Sequence, residues 1–115
     1  TKIRNQPRIM EAIQLKVTQK NNAQVGVLEG TDRLNASVAP EIKEQLNKNL
    51  KEPKTSFVLD LNNIKFVDST GIGVLISALK TARQNDGNFQ LANVNKEVMD
   101  LLSLMKLDQI FDFQE

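Results

Sequence analysis

The spacing of hydrophobic residues near the start of the chain is that of a half-buried strand. Ile13, Leu15 and Val17 alternate with polar residues, and a second apolar stretch follows at residues 25–28. The Asn21-Asn22 pair between them is typical of a tight turn. The pattern therefore predicts that the domain opens with an antiparallel β-hairpin.

Further along, the hydrophobic spacing changes three times to that of a helix. The apolar positions of the three helices are Val38, Ile42, Leu46 and Leu50; then Ile72, Leu75, Ile76 and Leu79; then Val98, Leu101, Leu102 and Met105. The first helix is expected from Asn35 onward, capped by Asn35 or Ser37, and the third is expected to be capped by Asn95. The second is expected to stop at Asn85-Asp86-Gly87, with the glycine in the left-handed conformation.

Two apolar segments between the helices, residues 57–61 and 89–94, have the composition of buried strands. A short hydrophobic end with Ile110, Phe111 and Phe113 is predicted to be an edge strand or a packed tail. The order ββαβαβα plus this short C-terminal element predicts an α/β fold, with a single mixed β-sheet and helices packed on it. The loops at residues 32–37 and 68–73 both leave strands and enter helices, so we expect them at the same end of the sheet.

Composition narrows the possible functions. The chain has 115 residues, of which 40% are hydrophobic, and its 15 basic and 14 acidic side chains leave a net charge of +1, as in an ordinary soluble globular domain. It contains neither cysteine nor histidine, which removes thiolate chemistry, the usual general base and the commonest zinc ligand. We therefore expect a non-enzymatic protein without cofactor or metal.

The sequence also indicates where in the cell the protein resides and where its domain begins. Its longest strongly apolar stretch, residues 72–79, is far shorter than the roughly 20 residues of a membrane-spanning helix, and no signal-peptide pattern precedes it. We expect a cytoplasmic protein. Residues 1–9 are polar and basic without periodicity, so we interpret them as an N-terminal extension or tag-like segment before a domain at residues 10–115.

The most informative motif is Asp68-Ser69-Thr70-Gly71-Ile72-Gly73, where a strand region gives way to a helix. It places Ser69 in the first helical turn or at the cap, beside a carboxylate and flanked by small residues. Helix N-terminal amides there could hold a phosphate of about −1.5 to −2 charge. Taken alone, such a tetrapeptide more often only caps a helix. Its two glycines lack the third glycine and the lysine of a nucleotide loop, so close backbone packing is the better explanation for them.

Together with two further segments, this motif resembles the STAS domain of bacterial anti-sigma factor antagonists. Asp32-Arg33-Leu34-Asn35 is similar to that family's G-x-L-D motif, and Leu107-Asp108-Gln109-Ile110-Phe111 is similar to its terminal L-x-x-I-F pattern. The resemblance covers nearly all of residues 10–113. It implies a STAS fold and a protein-binding switch that controls sigma-factor-dependent transcription.

The resemblance also implies residue roles. Ser69 corresponds to the serine that is phosphorylated by an anti-sigma factor with serine kinase activity; the unmodified protein binds that partner, and a PP2C-type phosphatase reverses the modification. The partner-binding face is expected to comprise Asp68, Ser69, Thr70, Gly71, Ile72, Asn35, Ala36 and Ser37. Of these, Ser69, Thr70, Gly71 and Ile72 are expected to be exposed. Asn35 replaces an aspartate of the family pattern, which bears on partner choice or phosphorylation efficiency.

Other classes fit less well. The acidic pair of a response-regulator receiver is missing from residues 13–17, and no P-loop is present. A nucleic-acid interface is not expected, because the lysines of residues 41–52 alternate with glutamates. The alternative that remains is a STAS scaffold or transport-accessory domain in which Ser69 is never phosphorylated.

Overall fold

The computed structural model describes residues 13–114, so the predicted extension at residues 1–9 lies outside the described part. The strands are β1 (Gln14–Lys20), β2 (Ala23–Glu29), β3 (Arg33–Leu34), β4 (Ser56–Asp60), β5 (Phe66–Val67), β6 (Asn88–Ala92) and β7 (Asp112–Gln114). The helices are α1 (Ala39–Leu50), α2 (Ser69–Gln84) and α3 (Lys96–Leu104), followed by a 3₁₀ turn at Leu107–Gln109.

The main sheet has five strands in the order β1-β2-β4-β6-β7. Strands β1 and β2 form the predicted antiparallel hairpin, and Asn21 takes the left-handed φ of 57° that its turn requires. The remaining neighbours pair in parallel, which needs crossover connections, and α1, α2 and α3 lie in those connections. The expected mixed α/β architecture is thereby confirmed, and the short hydrophobic end forms the edge strand β7.

One hydrophobic core joins the helices to the sheet. Phe57 and Phe89 lie side by side on β4 and β6, with ring centroids 6.2 Å apart and no exposed surface. The apolar stripe of α1 packs there with Ile42, Leu46 and Leu50 all buried, as does the inward face of α2. Burying side chains of this size contributes about 1.5–3 kcal/mol each. The apolar residues at helical spacing thus lie on the helix faces that are buried on folding.

Two predicted helix ends differ from the structure. Helix α1 begins at Ala39, and its N-cap residue Val38 makes no side-chain cap, so neither Asn35 nor Ser37 caps it. Residues 35–38 instead form a turn, in which the Asn35 carbonyl accepts from the Val38 and Ala39 amides at 3.1 and 2.9 Å. An asparagine stabilises such a turn as readily as a helix cap, so its residue type does not distinguish the two.

The second difference concerns the end of α2. Asp86, not Gly87, takes the left-handed conformation, with a φ of 61°. Gly87 is required for space, because a Cβ at that position would collide with the Thr55 carbonyl oxygen. The helix does stop where predicted, but the glycine allows the close approach of the segment at Thr55. By contrast, the predicted Asn95 cap of α3 is confirmed, since its side chain accepts from the Val98 amide at 2.8 Å.

Candidate functional site

A second, two-stranded sheet brings the two predicted loops together. Strands β3 and β5 pair in parallel, with Arg33 opposite Phe66 and Leu34 opposite Val67. Just before the pair, the Lys65 amide donates to the Asp32 carbonyl at 2.7 Å. Because β3 lies within the first predicted loop and β5 directly precedes the second, this pairing confirms the expectation that the loops meet at one end of the fold.

Asp68 fixes the start of α2. It is the N-cap residue, with extended backbone, and its Oδ1 accepts from the Gly71 amide at 2.9 Å. Its own amide donates to the Leu34 carbonyl at 3.2 Å, which ties the cap to β3. The carboxylate therefore orients the loop, and Ser69 becomes the first residue of the helix, as the sequence predicted.

The first turn of α2 divides into two faces. Ser69 and Thr70 are exposed, whereas Gly71 is buried and Ile72 is only 2% exposed. A Cβ on Gly71 would overlap the Leu34 carbonyl oxygen and approach Val67 Cγ1 to 2.8 Å. The expectation that Gly71 and Ile72 are exposed is therefore wrong, because both are needed to pack α2 against the small sheet and the core.

The other loop contributes a second exposed segment. Ala36 and Ser37 are exposed, and Asn35 is half-buried. The Asn35 Oδ1 accepts from the Ser37 amide at 3.0 Å, so its side chain holds the turn that presents these residues. The uncharged amide at this position thus has a structural task that an aspartate could also perform.

Arg33 and Phe66 are two exposed residues that the sequence analysis did not assign to the site. The Arg33 guanidinium carbon lies 5.9 Å from the centroid of the Phe66 ring, which is within the range of a cation–π contact. Arg33 Nε also lies 3.2 Å from Asp32 Oδ1. Phe66 is half exposed and stands two residues before Asp68. Alternation within β5 would have placed it outward, but only the pairing of β3 with β5 sets Arg33 beside it.

A recess lies between the first turns of α1 and α2. Its volume is about 490 Å³, and its lining residues are Ala39, Pro40, Lys43, Thr70, Gly73 and Val74. Gly73 is exposed, and a Cβ there would have no atom within 4 Å. The expectation of close packing is thus correct for Gly71 and wrong for Gly73.

The chemistry of this end of the molecule is that of an accessible hydroxyl next to apolar and amide groups. The carboxylates of Asp68 and Asp60 have local tasks: Asp68 caps α2, and Asp60 accepts from the Asn62 amide at 2.8 Å. Within residues 13–114, no group of three or more histidine, cysteine or acidic residues could hold a metal ion. Nor is any helix in that part of the chain long and apolar enough to cross a membrane.

Comparison with known proteins agrees with this geometry. The STAS domain family model matches residues 14–115. The anti-sigma-B factor antagonist of Staphylococcus epidermidis is 28% identical over 82 residues, which cover 71% of this chain and 76% of that protein.

Solved structures with the same fold include an anti-sigma-factor antagonist (STAS) domain protein from Planctomyces limnophilus. It is 19% identical, with a TM-score of 0.79, and the match covers 86% of this chain and 87% of that one. The Bacillus cell fate determinant SpoIIAA in its phosphorylated form is 15% identical with a TM-score of 0.64, over 90% of this chain and 92% of its own.

Proposed function

Because the chain belongs to the STAS domain family, we propose that it is an anti-sigma factor antagonist whose partner binding is switched by phosphorylation of Ser69. The observation that carries this proposal is the position of Ser69: exposed, at the first residue of α2, and held there by the Asp68 cap beside the second loop. The matched Staphylococcus protein is an antagonist by name, and the matched Bacillus protein exists in a phosphorylated form.

The phosphate would leave the fold intact. The N-terminal amides of a helix lack intrahelical partners, and a negative charge there is favoured by roughly 0.3–1 kcal/mol. Asp68 opposes the phosphate by like-charge repulsion, but its carboxylate remains engaged by the Gly71 amide. Phosphorylation adds a charge of about −1.5 to −2, and its main effect is on partner binding. A partner surface that covers Ser69 must remove water from that charge, which costs free energy. Release of the partner follows from that desolvation cost.

The partner in this scheme is an anti-sigma factor with serine kinase activity. The kinase contributes the catalytic base and the magnesium-bound ATP, and this chain contributes only the acceptor hydroxyl. The contact face comprises Asp68, Ser69, Thr70 and the exposed turn of Asn35, Ala36 and Ser37, while Gly71 and Ile72 support it from inside. A PP2C-type phosphatase resets the switch. We place this cycle in the cytoplasm, with residues 10–115 as the STAS domain and residues 1–9 as an extension.

Incubation with Mg-ATP and candidate anti-sigma kinases, followed by intact and peptide mass spectrometry, tests the proposal. We expect one phosphate, on Ser69, and none on the Ser69→Ala variant. Ser103→Ala is the matched control, because it removes an exposed serine hydroxyl of α3, outside the proposed contact face, and should leave phosphorylation of Ser69 unchanged.

Binding measurements complete the test. Ser69→Ala should bind the kinase constitutively, and Ser69→Asp should bind it more weakly. Equal affinities for these two variants would contradict the switch. Stable binding to a protein that never phosphorylates Ser69 would favour the scaffold role instead.

A further inference from the structure

Gly73 is a glycine that the isolated fold does not require. It lies inside α2, where it is exposed, and its φ is not in the left-handed region that favours glycine. A Cβ at this position would meet no atom within 4 Å. Glycine in a helix interior is less favourable than alanine, so the residue lowers stability without any compensating contact in the described structure. A glycine with no steric task inside the fold is explained if another molecule's backbone approaches the helix there.

The recess beside Gly73 lies next to the proposed phosphorylation site, since Thr70, the residue after Ser69, lines it. Gly73 lies four residues after Ser69, so the two share one side of α2. The lining combines Thr70 and Val74 of α2 with the side chains of Ala39 and Pro40 of α1. These are mostly apolar atoms, and the missing side chain of Gly73 keeps the recess open. Its mostly apolar lining suits an aliphatic side chain.

Among the residues that line the recess, Lys43 is the charged one. The neighbouring carboxylates of α1 do not line it: Glu41 accepts from the Gln45 side chain at 2.7 Å, and Glu44 is exposed. On the α1 side, Lys43 is exposed and makes no ion pair among residues 13–114. The nearby carboxylate of Asp68 is engaged as a helix cap. The complementary partner surface is therefore an apolar side chain accompanied by a carboxylate.

We propose that the recess between α1 and α2 receives an aliphatic side chain of the anti-sigma partner, whose backbone crosses α2 at Gly73 and whose neighbouring carboxylate pairs with Lys43. This inference rests on the proposed function and specifies the chemistry of the partner. It also adds a second route to release: a phosphate on Ser69, one helical turn from Gly73, repels the incoming carboxylate and competes for Lys43.

Side-chain additions at Gly73 test the recess. Gly73→Ala and Gly73→Leu should both fold, and Gly73→Ala should raise the melting temperature while weakening binding of the unphosphorylated protein. Gly73→Leu places a bulky side chain in the recess and should weaken binding by about tenfold or more. The matched control is Gln84→Leu, which adds an exposed leucine to the same side of α2 roughly 16 Å further along the helix. Its affinity should stay within about twofold of wild type.

Charge removal provides the second measurement. Lys43→Gln should weaken binding by about threefold, and the difference from wild type should shrink at high salt. Lys48→Gln removes another exposed lysine of α1 outside the recess lining and should have little effect.

The outcomes separate this inference from the proposed function. If wild type binds an anti-sigma kinase and is phosphorylated on Ser69, but Gly73→Leu binds equally well, the recess proposal is overturned and the switch stands. Loss of binding on Gly73→Leu without phosphorylation of Ser69 supports the recess and overturns the switch. If wild type binds no anti-sigma kinase, both are overturned.

Discussion

The two faces of the first turns of α2 have opposite surroundings: one is packed against the rest of the protein, and the other is exposed to solvent. On the inward face, Gly71 leaves no room for a Cβ and Ile72 is 2% exposed. On the outward face, Ser69 and Thr70 are exposed, and a Cβ added to Gly73 would have no atom within 4 Å. The same residue type, two positions apart, is thus required by packing in one case and unnecessary for packing in the other. The comparison shows that a glycine has to be explained by what surrounds it.

The division follows from helix geometry and from one cap. Residues two positions apart point to different sides of a helix with 3.6 residues per turn. The Asp68 carboxylate, bonded to the Gly71 amide at 2.9 Å, sets the rotation at which α2 starts. The cap therefore decides which side of the motif faces Leu34 and which side faces water.

The largest expected effect is at the inward glycine. Gly71→Ala forces a methyl group against the Leu34 carbonyl, which cannot retreat without disturbing the pairing of β3 with β5. We expect a loss of about 3 kcal/mol in the free energy of unfolding, measured by urea denaturation. Gly73→Ala is the matched control, since it makes the same change two residues on. Equal stabilities for the two variants would abolish the distinction between the faces.

Removal of the cap should have the next largest effect. Asp68→Ala deletes the acceptor for the Gly71 amide, and such cap losses cost about 1 kcal/mol. Asp68→Asn keeps a side-chain oxygen and should lose less. Thermal unfolding of both variants measures the difference. A destabilisation of Asp68→Asn as large as that of Asp68→Ala would show that the charge, and not the hydrogen bond, matters.

On the outward face, Gly73→Ala should be stabilising. The substitution adds no collision and replaces the poorer helix former, so we expect a gain of about 0.5–1 kcal/mol. Urea denaturation with an unchanged m-value would show the gain. A loss of stability would instead reveal a packing role for Gly73.

The smallest effect is expected at the hydroxyl itself. Ser69→Ala should change the free energy of unfolding by less than about 0.5 kcal/mol, because Ser69 is exposed and Asp68 provides the cap. Circular dichroism during thermal unfolding checks this. A large destabilisation would assign Ser69 a structural role. The effect of Ser69→Ala on partner binding could then not be distinguished from its effect on folding.

Much of this architecture was predictable from local pattern. Alternation in the first strand, four-residue spacing in α1 and the Asn95 cap of α3 each depend on residues close together in the chain. The motif placed Ser69 in the first turn of α2, because a residue that follows a capping aspartate is constrained by its immediate neighbours. Turn chemistry was less decisive: Asn35 has the residue type of a helix cap, yet it holds the turn before α1.

The sequence by itself determined the order of the main-sheet strands and the helices, the family resemblance and the place of Ser69 at the start of a helix. Only the tertiary structure decided that β3 pairs with β5, that Arg33 lies beside Phe66, and that Gly71 and Ile72 are buried. It also decided that Gly73 opens a recess against α1. The physical reason is that hydrophobic periodicity and capping act over a few residues, whereas the space around a residue depends on segments about 30 positions away in the chain, which only folding brings into contact.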